Sequence, residues 1–72
     1  MNINWTMKHT ELLRRMREMD LSKSTILRII DEVNMYLDDP SACMAKTDEM
    51  IALLKSCETE EEVIRKLDEA GI

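Results

Sequence analysis

Seventy-two residues with 35% charged and 44% apolar content describe one small helical domain, residues 1–72, near the lower size at which a single core holds a fold. One Gly, one Pro and no Phe argue against a strand-rich fold, and no stretch reaches the roughly 18 uninterrupted apolar residues of a membrane span. The net charge of −5 is uneven: residues 1–28 hold six Lys/Arg against three Asp/Glu, a net +3, whereas residues 29–72 hold four against twelve, a net −8.

The first helix is expected over residues 5–19. Trp5, His9, Leu12, Met16 and Met19 fall within one arc with Leu13 beside it, while Thr10, Arg14 and Arg17 point away. His9, the only histidine, has no neighbour at ligand spacing and reads as a half-buried residue of the stripe edge. Asp20 and Leu21 form a short turn. The second helix follows over 23–38, opened by the capping candidates Ser22, Ser24 and Thr25. Its stripe of Ile26, Ile29, Ile30, Val33 and Leu37 is the strongest in the chain, so this helix is expected to contribute the most buried positions.

Pro40 limits how far that helix can run and, with Asp39 as cap, starts a third helix over 40–57. Cys43, Thr47, Met50, Leu54 and Cys57 keep one phase, with Ile51 and Leu53 alongside; Thr47-Asp48-Glu49 is an alternative start that leaves 41–46 as a loose turn. The fourth helix, 60–70, opens with Thr59-Glu60-Glu61-Glu62, a capping box whose glutamates suit the positive end of the helix dipole. Val63, Ile64, Leu67 and Ala70 face inward, Glu61–Arg65 and Glu62–Lys66 are spaced as i,i+4 pairs, and Gly71 ends the helix. Four helices joined by short turns give an all-α compact bundle, with Met16, Met19, Met44 and Met50 filling a core that lacks large aromatics.

Cys43 and Cys57 lie outside any zinc-finger spacing and, on one helix, about 21 Å apart at 1.5 Å per residue, too far for a disulfide. They read as buried, reduced core residues of a cytoplasmic protein. The chain has no Gly-rich phosphate loop, no GxSxG, no HExxH and no close Cys–His pair. The reading is a non-enzyme without cofactor, metal or small-molecule substrate.

The stripes leave Met7, Leu27 and Met35 unaccounted for. On the second helix, Leu27, Arg28, Asp31 and Met35 occupy the side away from the apolar stripe, which makes them the candidate contact residues for a protein partner or a second copy. Small acidic helical proteins of this kind are common, by general analogy, as phage or mobile-element inhibitors and as adaptors.

Residues 21–30, Leu-Ser-Lys-Ser-Thr-Ile-Leu-Arg-Ile-Ile, resemble the recognition helix of helix-turn-helix regulators, the similarity covering about residues 12–31. Met16, Met19, Leu21, Ile26 and Ile29 stand at that family's packing offsets; Asp20 stands where its turn carries Gly, and Met16 where it carries Ala. The resemblance implies a dimeric DNA-binding regulator whose second helix enters the major groove, with Ser22, Lys23, Ser24, Leu27, Arg28 and Asp31 facing the DNA; Arg14, Arg17, Lys23 and Arg28 would then supply the phosphate contacts. Against that alternative, phosphate neutralisation supplies much of DNA affinity, and the chain beyond residue 28 is at −8.

Overall fold

The computed structural model describes the backbone of residues 3–72 and the side chains of residues 8–72, so the expectations for Trp5 and Met7 lie outside the described side chains. Four helices follow in order: α1, Ile3–Glu18; α2, Lys23–Asn34; α3, Pro40–Lys55; and α4, Glu60–Ala70.

The end of α1 and the end of α4 use the same device. Asp20 takes φ 51, its N–H donates to the Arg17 carbonyl (3.1 Å), and the Leu21 N–H reaches back to that of Met16 (3.4 Å). Gly71 takes φ 75, with Gly71 N–H to Asp68 O at 3.1 Å and Ile72 N–H to Leu67 O at 2.9 Å. In each case a left-handed residue turns the chain so that the next residue, Leu21 or Ile72, packs back onto the core. Glycine adopts that conformation freely; aspartate is one of the few other residues that visits it.

α3 forms as one helix from Pro40, so residues 41–46 are helical. The Asp39 carboxylate accepts from the Ala42 N–H (3.2 Å) and Pro40 occupies the first turn, where its missing N–H costs nothing. At α4, the Thr59 hydroxyl accepts from the Glu62 N–H (3.3 Å), and Glu62 in turn accepts from the Glu58 N–H (3.4 Å), one residue before the cap. The two i,i+4 pairs anticipated on α4 do not form. Glu62 is drawn back to the cap, and the Lys66 ammonium donates to the Ser56 hydroxyl (2.5 Å).

α2 is shorter than the expected span of 23–38. After Met35 the hydrogen bonds tighten from i−4 to i−3: Tyr36 to Val33 O, Leu37 to Asn34 O and Asp39 to Tyr36 O. Winding at three residues per turn rotates the chain off the stripe. Leu37 consequently points to water, 58% exposed, and Tyr36 packs on the core in its place with the Lys46 ammonium 5.3 Å from its ring centre. Ile26 and Ile30, also assigned to the buried stripe, are half-buried at its margins, and Ala70 of α4 is exposed.

The centre of the molecule is α3. Cys43, Thr47, Met50, Ile51 and Leu54 are buried there, against Thr25, Ile29 and Val33 on α2, so the expectation that α2 contributes most is reversed. α3 packs most extensively along α1, then along α2, then against α4. The reason lies in how apolar residues are spread. α2 concentrates them on one side and suits an edge, whereas α3 carries alanines, methionines and leucines over much of its circumference and must be covered from several directions. Both cysteines are buried, and no disulfide joins them.

Ion pairs tie the helices together. Lys8 of α1 meets Asp48 of α3 (2.8 Å) and Glu11 meets Lys55 (2.8 Å); the partners advance together, so α1 and α3 run in the same sense. Lys46 of α3 joins Glu32 of α2 (3.3 Å) and its own helix neighbour Glu49 (2.9 Å). The Glu49 contact raises the Lys46 pKa, burial opposes it, and the Glu32 contact adds to the rise. Arg15 reaches from α1 to the end of α3, donating to the Leu54 and Cys57 carbonyls at 3.3 and 3.1 Å, where a cation suits the negative end of the helix dipole.

Candidate interaction surface on the second helix

α2 meets α4 through polar groups at its start and at its middle. At its start, Ser22 is the N-cap by backbone geometry, yet its hydroxyl makes no capping bond within its own helix. The residue is held instead by the Glu60 carboxylate, from the first turn of α4. That carboxylate accepts from the Ser22 N–H (2.8 Å), the Ser22 hydroxyl (2.6 Å) and the Thr25 hydroxyl (2.9 Å). The Ser22 hydroxyl, then the Ser22 N–H, then Thr25 hold the Glu60 carboxyl below its usual pKa. Further along, Arg28 donates to Asp68 (2.7 Å) and to the Ile72 carbonyl. The partners advance together, so α2 and α4 run in the same sense, joined by these side chains rather than by close backbone packing.

Those contacts decide which of the candidate residues remain open. Leu27 is 47% exposed and Met35 73%, and Asp31 between them is exposed as well. Arg28, the fourth member of that group, is half-buried and engaged with α4. The four do not act as one free surface: two apolar side chains and a carboxylate face water, and the guanidinium belongs to the fold.

Of the residues that the helix-turn-helix resemblance implicates, Arg14, Arg17, Lys23 and Ser24 are exposed, and Arg14, Arg17 and Lys23 enter no ion pair among the described residues. Arg28 is committed to Asp68, and the start of α2 already receives the carboxylate of Glu60. Among the described residues, no three His, Cys, Asp or Glu side chains converge on a metal-sized space, and no helix is long and apolar enough to cross a membrane.

Two features escaped sequence reasoning. The first is the role of Glu60, which looked like one of three equivalent dipole-suited glutamates; only docking of α4 beside α2 singles it out. The second is a surface groove of about 250 Å3 at the corner between α1 and α2, lined by Leu13, Met16, Arg17, Asp20, Leu21 and Ile26. Leu13, 39% exposed, was the available signal, because it sat beside the α1 arc rather than within it. Comparison with family models, curated proteins and solved structures finds no match to this chain.

Proposed function

We propose that this chain is a non-catalytic helical interaction module, an inhibitor or adaptor that binds a protein target or a second copy of itself through the outer face of α2. The observation that carries this reading is the exposure of Leu27 and Met35 on a helix whose polar groups at Ser22, Thr25 and Arg28 are already satisfied by α4. What such a face offers a partner is apolar area, which favours contact with another protein surface.

The experiment is affinity capture from a lysate of the cells that make the protein, with sedimentation equilibrium for self-association, on wild type and on Leu27→Ser, Met35→Ser. Loss of the complex with helicity and melting retained supports the reading. Unchanged association moves the interface off α2, and loss of fold places both residues in the core.

The second reading is a small DNA-binding regulator. Asp20 at φ 51 between two helices and the exposed Arg14, Arg17 and Lys23 favour it. It would have to work without Arg28 unless Asp68 lets go, and with a carboxylate already at the start of the reading helix. Fluorescence anisotropy with mixed-sequence duplex at low salt tests it; no binding at high micromolar protein removes it.

A further inference from the structure

We propose that the groove at the α1–α2 corner is a second docking surface, and that its occupant is an acidic amphipathic protein segment that inserts an apolar side chain. The lining combines the buried Met16 and Leu21, the half-buried Ile26 and the exposed Leu13 with the exposed Arg17 and Asp20. The left-handed turn at Asp20 creates the corner: it ends α1, buries Leu21 against Met16, and leaves Leu13 and Ile26 incompletely covered on either side.

Size and lining select the class of occupant. At about 250 Å3, the groove falls below the roughly 300–1,000 Å3 of sites that enclose small molecules. A groove of that size, with four apolar and two charged lining residues, suits one or two side chains of a protein segment. A phosphate backbone would leave it unfilled.

Charge selects the sign. Most of the molecule's cations are consumed inside the fold: Lys8, Arg28, Lys46 and Lys55 in ion pairs, Arg15 on the carbonyls ending α3, and Lys66 on Ser56. Of those that remain exposed without an ion pair among the described residues, Arg17 lines the groove. Arg14 lies one helical turn before it, and Lys23 opens α2 two residues beyond Leu21. Glu18 and Asp20 are the carboxylates of this stretch, and Arg65 of α4 is likewise exposed without an ion pair among the described residues; at this corner three such cations, Arg14, Arg17 and Lys23, border apolar surface in a chain of net charge −5. Such a rim steers and orients a carboxylate-bearing partner and disfavours a basic one. Neither Leu27 nor Met35 lines this groove.

The test uses full-length protein labelled for NMR and a peptide of about 16 residues patterned as a Leu/Glu amphipathic helix, long enough to hold that form. A Leu/Lys peptide of the same pattern, a Glu-rich peptide without Leu, and a mixed-sequence DNA duplex serve as comparisons. The expected result is shifts centred on Leu13, Arg17, Leu21 and Ile26 with the Leu/Glu peptide alone. Affinity should fall about tenfold or more in Arg14→Glu, Arg17→Glu, since like charges then face each other. These two exposed positions leave the fold intact by thermal melt, and Leu13→Ser provides an apolar counterpart. Binding should be retained by Leu27→Ser, Met35→Ser, which separates failure here from failure of the α2 face. Absence of shifts at about 2 mM peptide, a weak-binding limit, overturns the proposal. So does equal binding of the Leu/Lys peptide, equal binding of the Leu-free peptide, or stronger perturbation of the same residues by DNA.

Discussion

α3 is surrounded. Its Cys43, Thr47, Met50, Ile51 and Leu54 are buried and the other three helices all pack on it, whereas α2 buries Thr25, Ile29 and Val33 on one side and leaves Leu27 and Met35 in water. Thr47 shows how complete the enclosure is: its buried hydroxyl has turned onto the Cys43 carbonyl of its own helix (2.8 Å). Thr25 on α2 is also buried, but its hydroxyl reaches out of its own helix to Glu60 of α4. Apolar packing anchors one helix from several directions. The other is seated by a single apolar strip and fastened by polar contacts at its start and middle.

The largest expected effect follows from that contrast. Leu54→Ala on α3 should cost about 2–5 kcal/mol, the range for emptying a fully buried site, and Ile30→Ala on α2 about half as much, because Ile30 is only half-buried. Urea denaturation of the two variants checks this, and equal losses would break the distinction between centre and edge.

A smaller effect is expected at the end of α3. Arg15→Met keeps most of the apolar stem and removes two charge-assisted hydrogen bonds to carbonyls, a loss of about 1–3 kcal/mol. Arg17→Met, on the exposed side two residues later, should stay within about 0.5 kcal/mol of wild type. If the two variants melt together, Arg15 is not a clasp on α3.

The smallest effect concerns the fastening of α2, and its signature is pH. Glu60 has a lower pKa folded than unfolded, so its contribution is complete above the ordinary carboxyl value of 4.5 and is lost as pH falls through the depressed folded value. Glu60→Gln should therefore melt below wild type at neutral pH, and the gap should close on acidification below 4.5. A difference that does not change with pH would mean that shape, not charge, makes Glu60 useful.

Much of the local structure was legible residue by residue. Asp39-Pro40 and Thr59 with Glu62 begin helices where their chemistry says they should, and Gly71 ends one. These signals act through hydrogen bonds a few residues away, so neighbours in sequence contain all the information. The apolar stripes likewise gave the four helices and the all-α class, because helical periodicity is a property of one segment at a time. The exposure of Leu27 and Met35 also followed from their place on the wheel, opposite Ile29 and Val33.

What tertiary structure decided was the order of importance among helices and the partners of charged groups. A sharp stripe marks α2 as amphipathic, which is why it sits at the edge; the more evenly apolar α3 is less conspicuous in sequence and takes the centre. No spacing rule connects Glu60 to Ser22 across 38 residues, or Arg15 to Leu54 across 39, since long side chains choose among all partners that packing brings within reach. Leu37 illustrates the same limit: its place in the stripe assumed 3.6 residues per turn to the end, and the tighter turns leading into Pro40 carried it into water.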